Sequence, residues 1–176
     1  MNLEDLFFDS SRRTINIAVN TIGNNPVIFK KILDFALEDK ERFAMRAARA
    51  IQMSVAKHPE IVRPYLKDII RQLDKFKTGG LKRSFAKMIS ELDWDFDEDT
   101  LGILAETCFK WVNDNNEEIA IKIYSQDILY RISEIYPELK HELITVLEHN
   151  YPHSSVAIKS RSRKMTVKLY KELNKS

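Results

Sequence analysis

The sequence predicts an all-α fold: a right-handed α-α superhelix of about four and a half two-helix repeats. Three observations lead there. A basic residue recurs at one register, as Arg13, Arg46, Arg83, Lys122 and Lys159, in steps of 33, 37, 39 and 37 residues. A period in the high thirties is that of two-helix solenoid repeats. Apolar residues flank each basic position at helical spacing, and the alternating pattern of strands is absent. Four glycines and five prolines in 176 residues leave little room for long irregular segments. The recurrence is plainest in "EEIAIKIYSQ" (117–126) and "SSVAIKSRSR" (154–163). Both carry Ala-Ile-Lys, with Ser three residues after the Lys.

The elements follow in order. "NLEDLFF" (2–8) reads as a short N-terminal cap with Leu3, Leu6 and Phe7 turned inward. The first repeat, about 9–38, carries Ile15, Ala18 and Ile22. After "GNNP" come Ile28, Ile32, Phe35 and Ala36, with Pro26 suited to a first helical turn. In the second, about 40–76, Ala44, Ala47, Ala48, Ile51 and Val55 lie at i, i+3, i+4, i+7 and i+11, one helical face. Val62, Tyr65, Leu66, Ile69 and Leu73 form its next stripe. Pro59 can open that helix, and Pro64 inside it removes a donor and predicts a kink or a late start. Gly79 and Gly80 are expected to stop the chain.

The third repeat, about 79–113, joins Leu81, Phe85, Met88 and Leu92 to Leu101, Leu104, Ala105, Cys108 and Val112. The fourth, about 116–150, joins Ile121, Tyr124, Ile128 and Ile135 to Leu139, Leu143 and Leu147, with Pro137 between. A half repeat, 154–174, supplies Ile158, Met165, Leu169 and Leu173. One helix pair cannot bury its stripe alone, so neighbours must cover it and the end units need a polar outer face. These repeats make one domain of the whole chain, 1–176.

"DKERFAMRAARAI" and "PEIVRPYLKDII" resemble the HEAT/armadillo-like family of helical repeats. That family places a small acidic or amide residue between repeats and a basic residue early in the following helix. Asp39 with Arg46, and Asn115 with Lys122, match at equal spacing. The copies with "KTGGLKR" and with Pro152 before Lys159 depart from it. The resemblance implies a binding scaffold whose second helices line a concave groove. It also opens an alternative, since some HEAT-like proteins are DNA glycosylases for alkylated bases. "AMRAARAIQMSVAKHPEIVRPYL" resembles their motif-bearing repeat: Arg46 matches its first Arg, but Ile51 stands where Trp is expected and Ser54 where the second Arg is expected.

The remaining features bound the chemistry. A net charge of +2 gives no global basic field for nucleic acid. "MNLEDLFFDS" has no basic n-region and no apolar run reaches spanning length, so the expected setting is cytoplasmic. A lone Cys108 forms no intramolecular disulfide and reads as a small apolar core residue. Asp93, Asp95 and Asp97 copy the start of a calcium loop, but Glu98 replaces its Gly and Leu104 its closing Glu. Asp97 or Asp99 instead suits a helix cap. His149 and His153 lack a cysteine pair for zinc. No phosphate loop, nucleophile elbow or metal signature is present, so no catalytic residue, metal or cofactor is expected.

Two basic faces remain as binding candidates. Arg63, Lys67 and Arg71 fall at i, i+4 and i+8, with Lys110 and Trp111 as an extension. The alternative for them is an ordinary solvated face. On the final helix, Arg161, Lys164, Lys168, Lys171 and Lys175 share one side. That side is either a strip for phosphate or an acidic partner, or a solvated cap. The expected partner of the chain is another protein, with nucleic acid second.

Overall fold

A computed structural model describes residues 2–175. All regular elements among them are helical, as expected. They form two compact units, one up to Asp95 and one from Phe96 onward.

In the first unit, α1 (Leu3–Leu6) is a single turn capped by the Asn2 side chain, which accepts from Glu4 N. It delivers Phe7, fully buried, against Phe35 with ring centroids 6.0 Å apart. Local sequence sets the next starts. Ser11 Oγ accepts from Thr14 N at 3.1 Å to open α2 (Arg12–Ile22). Asn25 Oδ1 accepts from Val27 N and Ile28 N to open α3 (Pro26–Leu37), where Pro26 sacrifices no hydrogen bond. The hub of the unit is α4 (Glu41–Val55), which packs on α2, α3 and α6 (Gly79–Glu91). Its alanine face explains how: Ala44, Ala47, Ala48 and Ala50 are all fully buried, and their small side chains allow close approach.

The second helix of this repeat is broken. Residues Pro59–Tyr65 form a 3-10 helix, α5 runs only Leu66–Ile70, and Leu73–Lys75 is 3-10 again. Pro64, inside the segment, lacks the N–H that an α-helical turn would use, whereas Pro59 stands at the first position and sacrifices none. The apolar stripe survives, since Val62, Leu66, Ile69 and Leu73 are buried. Gly79 and Gly80 do not stop the chain; they begin α6 (Gly79–Glu91). Gly80 is needed for contact. A Cβ there would lie 2.2 Å from Met45 Cγ and 2.9 Å from Met45 Cβ.

In the second unit, Asp97 is the cap of α7 (Glu98–Asn113). Its Oδ1 accepts from Thr100 N at 2.9 Å and Thr100 Oγ1 at 2.6 Å. α8 (Ile119–Ile135) packs on α7, on α9 (Leu139–Asn150) and on α10 (Val156–Leu173). Ile135, on the last turn of α8, is 52% exposed and leaves the stripe.

The period is written into the polar contacts as well. In the first unit Arg46 donates to Phe7 O and Phe8 O, 39 and 38 residues back. Asp39 accepts from Lys77 N and Thr78 N, 38 and 39 residues on. In the second unit Asn150 reaches Asn113 over 37 residues, Gln126 reaches Ser162 over 36, and Arg161 reaches Asp127 over 34. Each spans 34 to 39 residues, about one sequence period.

Candidate functional site

Arg63, Lys67 and Arg71 are all exposed on the first unit, but they do not share one α-helix. Arg63 lies in the 3-10 segment, Lys67 in α5 and Arg71 at its C-cap. Three residues per turn instead of 3.6 rotates Arg63 off the line of the other two. Arg63 instead borders a cleft of about 340 Å³ whose apolar floor includes Val55, Ala56, Pro59 and Met88. Glu91 and Asp93 stand on the same rim. Arg71 Nη1 pairs with Asp68 Oδ1 at 3.2 Å, an exposed contact worth at most about 1 kcal/mol.

Trp111 corrects the sequence reading. It is only 3% exposed, because it falls on the buried side of α7 with Cys108 and Val112. It is a core residue of the second unit and offers no surface contact. Lys110, one residue earlier, is exposed in the last turn of the same helix, where a cation complements the helix dipole.

The basic face of α10 is partly committed to its own unit. Arg161 pairs with Asp127, and Lys168 Nζ stands 4.0 Å over the Tyr130 ring. Tyr130 donates to Glu172 at 2.5 Å, and Lys140 lies 3.0 Å from the same carboxylate. The Tyr130 hydrogen bond, then Lys140, hold the Glu172 carboxyl below its ordinary range. Burial, then the neighbouring carboxylates, raise the Tyr130 phenol. Both shifts keep the proton on the phenol and the charge on the carboxylate. Lys164, Lys171 and Lys175 remain exposed on this face.

Cys108 behaves as its stripe predicts. It is fully buried, and desolvation pushes its thiol up to about 12, so it is no nucleophile at neutral pH. Among the described residues no group of three or more His, Cys, Asp or Glu is placed to hold a metal ion. Ile51 and Ser54, the two departures from the glycosylase-like motif, are 0% and 1% exposed.

Two features of the second unit escaped the sequence. A groove of about 330 Å³ is floored by Leu101, Ala105, Phe109 and Ile132 and edged by Glu98, Glu138 and Glu142. Its residues come from three helices, so no local pattern announces it. A second cavity, of about 430 Å³, lies at the first turns of α8 and α10 and includes Lys122. The register of Lys122 was legible, but its burial was not.

All-helical units and repeat-spaced contacts define the class of helical repeat proteins. The chain belongs to the HEAT repeat family: the family model for the HEAT repeat domain matches residues 4–169. No curated protein and no solved structure matches it. Among the described residues no helix is long and apolar enough to cross a membrane.

Proposed function

We propose that this chain acts as one HEAT-like repeat domain, a non-catalytic cytoplasmic scaffold that binds another protein. The observation that carries this is the cleft at Arg63, set in a family of repeat architecture. Arg63, Lys67 and Arg71 present cations along an exposed segment, and the cleft beside Arg63 offers an apolar floor. A partner segment with acidic residues next to an apolar side chain suits that combination, since apolar anchors supply affinity and charges supply orientation. The apolar floor favours protein over DNA, because phosphate contacts need no such floor.

A photo-crosslinking amino acid in place of Lys67 tests the reading, with the same probe in place of Lys171 as comparison. Protein adducts formed from position 67 and not from 171 support it. Adducts from 171 alone move the site to the α10 face, and nucleic-acid adducts from 67 replace the protein reading with the DNA-binding alternative.

A further inference from the structure

We infer that the second unit carries a docking groove for a basic amphipathic helix, which seats a large apolar side chain among α7, α8 and α9 and sets Lys or Arg against three glutamates on the rim. The groove holds about 330 Å³ over Leu101, Ala105, Phe109 and Ile132. Leu101, Ala105 and Ile132 are buried beneath it, while Phe109 on α7 and Leu139 on α9 are half-buried and keep part of their surface open. Ile135, three residues after Ile132, is 52% exposed and carries the apolar surface outward along α8. A floor of this kind anchors a partner's apolar side chain.

Two observations say what covers it. The first is Gly102, which lines the groove from α7. It is exposed, and nothing lies within 4 Å of an added Cβ. Neither a contact nor a left-handed backbone calls for glycine there, although glycine weakens a helix relative to alanine. What the missing side chain leaves is clearance over the floor for an incoming helix. The second observation is charge. Glu98, Glu138 and Glu142 border the groove, and no Lys, Arg or His lines it. All three are exposed, and among the described residues none of them forms an ion pair. They come from the start of α7 and the start of α9, where helix dipoles favour negative charge. A single small amine answers one such carboxylate. A helix with Lys or Arg three or four residues from its apolar anchor answers several, and helix-in-groove recognition reads that spacing. Arg adds a bidentate fit to a carboxylate. The occupant is opposite in charge to the segment that suits the cleft at Arg63, and the inference does not depend on that reading.

The probe is a fluorescent synthetic helix of about 14 residues, with Leu on one face and Lys on the other, titrated with the whole chain at physiological salt and followed by anisotropy. Its affinity should fall at least about 10-fold in Glu98→Gln/Glu138→Gln/Glu142→Gln, and at least about 10-fold in Gly102→Leu, which fills the clearance. Gly102→Leu should melt no lower than the wild type, so its lost binding is not lost folding. Glu4→Gln/Glu60→Gln/Asp74→Asn removes the same charge from exposed positions of the first unit and should bind as the wild type does. The same helix with Glu in place of Lys should bind at least about 10-fold more weakly. Equal binding of the two helices overturns the proposal, and so does a Leu/Lys helix that fails to bind or that binds both groove variants as tightly as the wild type. Sedimentation of the protein alone tests the other occupant: a dimer in the wild type that becomes a monomer in Gly102→Leu assigns the groove to a second copy and likewise overturns the proposal.

Discussion

Asp39 shows how much one residue does in this fold. Its φ of 52° is left-handed, a conformation Asp tolerates better than most side chains. The turn aims its carboxylate at the next repeat, where it accepts from Lys77 N at 2.6 Å and Thr78 N at 3.2 Å. Those are the donors just before α6, which has no side-chain cap of its own. The family resemblance singled out Asp39 and Arg46, but not that each bonds the backbone of a different neighbour. Asp39→Ala should cost about 2–3 kcal/mol in urea unfolding, through two charge-assisted bonds and backbone strain. Asp39→Gly keeps the backbone freedom and should cost less. Glu172 gives a pH test. Its folded pKa is depressed, so its contribution is present above the unfolded carboxyl range and is lost as pH falls through the folded value. Glu172→Gln should therefore lower Tm at pH 7 and lower it much less at pH 3. Most of the effect rests on a partly exposed network, so a shift under about 1 kcal/mol is expected.

At the scale of elements, two glycines in helices predict opposite signs for one substitution. Gly80 lies at the α4–α6 contact, where an added methyl meets Met45. Gly80→Ala should destabilise by about 1–3 kcal/mol despite a better helix propensity. Gly102, on α7, has nothing within 4 Å of an added Cβ. Gly102→Ala should stabilise by about 0.5–1 kcal/mol. Thermal melts of the pair check both. The stripes made nearly every helix legible, because burial needs only the right period. What the period could not show was the backbone type at 59–75. Pro64 and the packing of Val62, Leu66 and Ile69 settle that segment as 3-10, short α and 3-10, and with it the direction of Arg63. Trp111 failed for a related reason: its neighbour Lys110 suggested a surface, while the spacing from Cys108 already placed it on the core side.

For the whole molecule, repeat architecture makes a local fault spread to its neighbours, because each copy covers the next. Ala48→Asp places an unpaired carboxylate at a fully buried position on the α4 hub and should cost several kcal/mol. Lys171→Ala should change stability by less than about 0.5 kcal/mol. Periodicity announced the architecture, but the candidate site depends on which side chains remain outside once stacking is complete, and that is set across helices. The most direct test of the functional reading is the affinity of the protein crosslinked from position 67, measured against wild type and against Arg63→Glu/Lys67→Glu/Arg71→Glu. The variant should keep the wild-type Tm within about 2 °C, since all three side chains are exposed. Its Kd should rise at least about 100-fold, with wild-type binding retained at high salt through the apolar cleft. Unchanged affinity in a folded triple variant would contradict the account.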